Sequence, residues 1–344
     1  MKTYTYALLA AAAATGMALG QTAYTTPVGY VALGDTTAGQ PAVKANTDVA
    51  IGIPLNRPTE YAGAISGTTA TTITLGGTPA FTANQWAPGA ATPYLVSIKS
   101  GTEGGFIGLI TANTADTLTV TAVTGGSLVA PNVAAGDKVQ IYKAWTLSSF
   151  LPVGSVPNGT RLLAYFGTTA GVNLAPNATY QYSTSTTNWT NGPTVSNNVI
   201  LYPGESYVLR SPSAAAITSL SVAGEVPVAN SRVYIDKLNP TLGQDTRIAY
   251  IGAGEEIIGN SGLVAALGLV TGDRLLAFNN SSAGLNKAPN ETLQWNGTNW
   301  VNGPTTVTTT YTLKAGRGYV FRRAATAPVG SLDWKDTPTY VPTL

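Results

Sequence analysis

Arg161-Leu-Leu-Ala-Tyr165 is written again further along the chain as Arg274-Leu-Leu-Ala-Phe278. At the same spacing, Ala170-Gly-Val-Asn-Leu-Ala-Pro-Asn177 returns as Ala283-Gly-Leu-Asn-Lys-Ala-Pro-Asn290. Thr187-Asn-Trp-Thr-Asn-Gly-Pro193 matches Thr298-Asn-Trp-Val-Asn-Gly-Pro304, and Pro203-Gly-Glu-Ser-Tyr-Val-Leu-Arg210 matches Ala315-Gly-Arg-Gly-Tyr-Val-Phe-Arg322. A unit repeated in this way reads as a self-contained module. Duplicated modules serve scaffolding and binding more often than catalysis.

Within the repeat, Leu293-Gln-Trp295 and Thr298-Asn-Trp300 flank Asn296-Gly297, whose residues tolerate positive φ and favour a tight hairpin. A two-residue loop would pair Trp295 with Thr298 and Leu293 with Trp300, putting all four on one face. The first copy offers Tyr180, Tyr182 and Trp189 at the corresponding positions, with two extra residues between Tyr182 and Trp189 where a loop insertion would fall. Tyr180, Tyr182, Trp189, Trp295 and Trp300 are therefore candidates for the core or for stacking on sugar rings. Alternation at strand spacing is what a half-buried hairpin needs, so packing leads.

Ahead of the repeats lies a series of short β-patterned runs. Thr71-Thr-Ile-Thr-Leu75 and Thr117-Leu-Thr-Val-Thr121 alternate cleanly, and Tyr94-Leu-Val-Ser-Ile98 and Lys138-Val-Gln-Ile-Tyr142 are further strands. Turns rich in Gly, Pro and Asn separate them, as in a barrel or sandwich. Helical character is confined to one turn over residues 146–150 and a segment over residues 261–270 that Ser261 could cap. The expectation is an all-β chain: an N-terminal barrel-like or sandwich domain over 21–145, modules over 146–222 and 223–330, and a tail over 331–344.

The first twenty residues read as a secretory signal peptide. Lys2 gives the positive start, Tyr6 to Ala14 the apolar core, and Ala18-Leu19-Gly20 a cleavage pattern before Gln21. No later stretch has the ~18 apolar residues of a membrane helix, so the mature chain is expected to lack a membrane-spanning segment. Charged residues are 10% of the chain, against about 25% in ordinary soluble domains, and the net charge is +2. That balance gives little electrostatic pull toward nucleic acid or anionic lipid. Hydrophobic residues reach 44%, which argues against disorder.

The chain has no cysteine and no histidine. Without disulfides it must stand on packing and β-ladders, and without imidazole it lacks the commonest general base and metal ligand. Gly252-Ala-Gly-Glu-Glu-Ile-Ile-Gly259 echoes a dinucleotide-binding loop, but it precedes a β module where a βαβ unit would be required. Gly259-Asn-Ser-Gly262 echoes a protease serine loop but has no base to serve it. Paired carboxylates would suffice for glycoside hydrolysis, yet the 16 acids are scattered. Adjacent Glu255 and Glu256 would point to opposite faces of a strand. Arg317, Arg322 and Arg323 cluster on the last repeat strand, as charge that blunts an exposed edge.

Thr25-Thr-Pro-Val-Gly-Tyr-Val31 follows the signal-like segment, and Trp145-Thr-Leu147, the Gly272 to Leu276 strand and a late Gly-x-x-Tyr-Val strand complete a pattern. It resembles an uncharacterised family of secreted bacterial β-rich proteins. The resemblance implies export and β-structure, and supplies no catalytic residues.

These features point to an exported, non-enzymatic structural or adhesive protein, secreted or at the cell surface, with the periplasm also open. A carbohydrate-binding protein using the aromatic faces comes second, and a polysaccharide-degrading enzyme using paired carboxylates third. No cofactor or metal is expected. Partners would be other surface proteins, further copies of the chain, or extracellular polysaccharide.

Overall fold

The computed structural model describes residues 26–89, 91–123, 128, 132–266 and 268–341. The signal-peptide segment and the expected cut before Gln21 lie outside them. The chain is all-β, and its sheets are not laid out in the order of the sequence.

Strands β1 (Val28–Ala32) and β2 (Asp48–Gly52) come first. A closed six-stranded barrel follows, in the order β3-β4-β7-β6-β5-β8. Its strands are β3 (Thr59–Thr68), β4 (Thr72–Leu75), β5 (Tyr94–Ile98), β6 (Ile107–Asn113), β7 (Thr117–Ala122) and β8 (Lys138–Lys143). Then come β9 (Trp145–Thr146), the one-turn helix α1 (Leu147–Phe150), β10 (Arg161–Ala164), β11 (Ala178–Ser183), β12 (Asn188–Asn191), β13 (Thr194–Val195), β14 (Ile200–Leu201), β15 (Ser206–Arg210) and β16 (Ser221–Glu225). The last stretch holds β17 (Ser231–Lys237), β18 (Gln244–Ala249), β19 (Glu255–Ile257), β20 (Arg274–Ala277), β21 (Glu291–Trp295), β22 (Trp300–Asn302), β23 (Thr305–Thr306), β24 (Thr312–Lys314), β25 (Gly318–Arg323) and β26 (Gly330–Asp336).

Two six-stranded sheets share one design. The first runs β13-β12-β11-β10-β15-β2 and the second β23-β22-β21-β20-β25-β18. Arg161 stands opposite Arg210 in one, and Arg274 opposite Arg322 in the other. Each unit adds a short pair, β9·β14 or β19·β24, and an outer pair, β1·β16 or β17·β26.

The sixth strand of the first sheet, β2, lies ahead of the barrel in sequence. Residues 28–52 therefore belong with the first module, and the boundary expected over 21–145 is corrected. Val31 and Ile51 share a core with Leu162, Trp189 and Tyr207, and that shared apolar face draws the strands together across the barrel. The barrel is an insertion between β2 and β9. Where it sits, the second module has only the short connection from Tyr250 to Glu255.

Barrel strands form where Thr alternates with aliphatic residues. Ile73, Leu75, Leu118 and Val120 are buried inside, while Thr72, Thr74, Thr117 and Thr119 are half-exposed. The barrel docks on the second module through buried Arg232. Its guanidinium donates to Asp333 at 2.7 and 2.6 Å and also contacts Glu103 of the barrel.

Three local expectations change. Trp295 pairs with Trp300 and Leu293 with Asn302, so the hairpin closes with Gly297 and Thr298 at its tip. The Asn296 side chain accepts from the Thr298 and Asn299 amides, which centres the turn one residue later. Of the expected helix over 261–270, the described residues form a 3-10 turn at Leu263–Ala265, and Ser261 does not cap it, its hydroxyl donating to the Ile258 carbonyl. Finally, β25 is a central strand between β18 and β20, so its arginines do not guard an edge.

Candidate functional site

The two modules meet through reciprocal contacts, as around a two-fold axis. Arg210 grips Asp48 of its own sheet at 2.7 and 2.8 Å and reaches across to the Asn286 side chain at 2.8 Å. Arg322 does the same with Asp245, at 2.6 and 2.8 Å, and with Asn173 at 2.7 Å. The Asn286 amide returns to Asp48 at 2.7 Å, and the Asn173 amide to Asp245 at 2.8 Å. Backbone bonds from Gly52 to Gly316 and from Ala249 to Gly204 repeat the exchange. Gly52 is needed there, because a Cβ would lie 2.1 Å from that of Ala249.

The outward faces of the two sheets and the crossed loops enclose a cleft of about 520 Å³. Ala50, Val208, Leu276 and Val320 supply apolar surface, and Asn173, Asn177 and Asn286 line the loop side. Four cationic side chains, Arg247, Arg274, Lys287 and Arg322, face two carboxylates, Asp48 and Asp245. Both carboxylates are committed to the loop tethers. Hydrogen bonding to Asp48 raises Arg210, and to Asp245 raises Arg322, above the ordinary arginine value.

Arg247 differs. Its guanidinium lies 4.1 Å from the Tyr165 ring centroid and 5.7 Å from that of Phe278, and no carboxylate pairs with it among the described residues. Burial lowers its value, against the opposing pull of Tyr165 and of the more distant Asp245 and Asp48. Arg274 likewise has no ion-pair partner there. Lys287 donates to the Asn279 and Ser282 carbonyls at 2.6 and 2.9 Å, and burial lowers it as well.

The aromatic residues singled out from the sequence lie elsewhere. Tyr180, Tyr182 and Trp189 are buried in the first core, and Trp295 and Trp300 in the second, with Trp189 1% and Trp300 0% exposed. They are packing residues, not a stacking platform. Glu256 is buried and holds Thr339, while Glu255 is exposed near Lys314 at 3.5 Å, so the pair does split across a strand. Among the described residues, no three acidic side chains gather to hold a metal.

Sequence reasoning passed over the cleft, although two signals pointed there. The loops at 170–177 and 283–290 are repeated almost letter for letter, which a mere connection would not require. The repeated Arg-Leu-Leu-Ala strand also ends both times in an aromatic, Tyr165 or Phe278. No protein-family model, curated protein or solved structure matches the chain.

Proposed function

We propose that the protein is an exported, non-catalytic binding protein of the cell surface or extracellular layer, built from one module used twice, with its ligand seat in the cleft between them. The signal-like start supports export. The observation that carries the binding role is the Arg247 guanidinium held between Tyr165 and Phe278 in a cleft of ligand size, with no contact ion pair among the described residues. A hydrolytic role finds less support, because the two cleft carboxylates each take a bidentate arginine and a backbone amide, leaving no free acid–base pair.

The test compares the purified protein with Ala288→Trp, which fills the cleft from an exposed loop position. Both are titrated against extracellular material from the cells that make the protein. Binding by the parent that Ala288→Trp weakens at least about tenfold, with an unchanged unfolding midpoint, supports the reading. Equal binding by both would place the seat elsewhere, and no binding by the parent would remove the role.

A further inference from the structure

The cleft wall is unbalanced in hydrogen-bond capacity. Arg247 and Arg274 are donors only, and neither is in a contact ion pair among the described residues. Each of the three loop asparagines already uses its side-chain oxygen as an acceptor. Asn173 receives Arg322, Asn286 receives Arg210, and Asn177 receives the Phe166 amide at 2.7 Å. Their side-chain NH2 groups have no protein partner among the described residues. Lys287 adds a cation, while the cleft's two carboxylates, Asp48 and Asp245, are already engaged.

A wall of this kind selects a ligand rich in acceptors and carrying negative charge. Peptides are the poorer match, since each backbone N–H is a donor fixed in place, whereas a sugar hydroxyl can turn its lone pairs toward the wall. A chain of sugars bearing carboxylates offers ring, hydroxyl and carboxylate oxygens, and its apolar ring faces suit Ala50, Val208, Leu276 and Val320. We infer that the cleft binds an acidic polysaccharide of uronic-acid units, with one carboxylate received by Arg247 and Arg274 and the sugar oxygens by the loop amides. The inference rests on the cleft being the ligand seat.

Uronic acids in polymers stay ionised at neutral pH, so recognition of this kind is electrostatic and salt-sensitive. The neutral chemistry of the surrounding wall then sets orientation, while the two arginines set the demand for charge.

Trisaccharides of galacturonic, mannuronic and glucuronic acid serve as probes in calorimetric titrations, beside the neutral galactotriose and mannotriose, triglutamate and inorganic sulfate. At least one uronate should bind, weaken as salt is raised, and lose about tenfold or more in Arg274→Gln and in Arg247→Met. Its binding should also vanish in Ala288→Trp. Neutral sugars binding as tightly, but still lost in Ala288→Trp, would overturn the charge requirement and leave the cleft as the seat. Triglutamate or sulfate binding more tightly than every uronate would overturn the saccharide assignment. Uronate binding indifferent to Ala288→Trp would remove the cleft itself, and failure of all three uronates would end the inference.

Discussion

The two modules close their interiors differently. In the second, Asp273, Arg323 and Lys237 are all buried. Asp273 accepts the Ala324 amide at 2.7 Å and the Val270 amide at 3.1 Å, and pairs with Arg323 at 3.1 Å. Lys237 donates to the carbonyls of Ala324 and Ala325. In the first, hydroxyls stand at the positions of Asp273 and Arg323. Thr160 donates to the Pro157 carbonyl at 2.8 Å, and Ser211 accepts the Thr47 amide at 3.1 Å. The strand order is the same regardless. Apolar faces therefore set the architecture, and the two modules close it with different polar groups.

The sharpest way to break this comparison is to remove one partner in each module. Asp273→Ala leaves Arg323 and Lys237 buried without their anion and should cost ~3–5 kcal/mol in denaturant unfolding. Thr160→Ala removes one neutral bond and should cost about 1 kcal/mol. Equal costs would mean that the charges of the second module are not doing what their burial implies.

A second contrast lies at the module interface, where Glu205 bridges to Ile248 and its counterpart Arg317 bridges to Ile51. Burial pushes the Glu205 carboxyl from 4.5 up to about 7, although Tyr207 donates to it. The folded state thus holds the proton more tightly. This contribution is fully present below the ordinary value and is lost as pH rises through about 7. Asp336, raised to about 7 by burial and then by the nearby Glu256, acts in the same direction. The urea midpoint should fall between pH 5 and pH 8, and Glu205→Gln should flatten part of that fall. A rise with pH over this range would contradict the assignment.

The reciprocal tethers predict matching losses. Asp48→Asn and Asp245→Asn should each cost ~1.5–3 kcal/mol, as each weakens a bidentate charge-assisted pair. Hydrogen exchange should show the loss across the interface, at the Asn286 amide for one and the Asn173 amide for the other. A loss confined to the mutated module would refute the crossing.

The smallest effect separates the two central tryptophans. Trp189 donates its indole N–H to the Leu151 carbonyl at 3.2 Å, whereas the Trp300 N–H is buried without a partner among the described residues. Trp189→Phe should therefore destabilise by about 1 kcal/mol more than Trp300→Phe. Matching melting temperatures would show that the Leu151 bond contributes nothing net.

Much of the fold was legible because it depends on local pattern. Alternating Thr and aliphatic residues marked the barrel strands, and repeated segments marked β10 and β20, β15 and β25. The aromatic hairpin kept its inward face although its register moved, since a shift of two residues preserves the side-chain alternation. What was not legible was partnership over long distances. Nothing local in Asp48-Val-Ala-Ile-Gly52 says that its partner β15 lies beyond a whole barrel. The cleft was missed for a similar reason, since Tyr165, Arg247 and Phe278 come from three separate segments.

The inserted barrel also has a kinetic consequence. Its first and last strands are neighbours, with Thr59 opposite Tyr142, so the folded barrel returns the chain close to where it left. An unfolded insertion of that length would make β2 search widely for β15, at an entropic cost that slows long-range pairing. Once folded, the barrel acts as a clip that makes β2 and β9 near neighbours. Replacing residues 57–143 with the second module's turn at 252–254 should leave the refolding of the first module no slower, whereas unfolding only the barrel by core substitution, as in Ile73→Asp, should slow it strongly. The chain thus gains its longest connection without a long search, provided the barrel folds first.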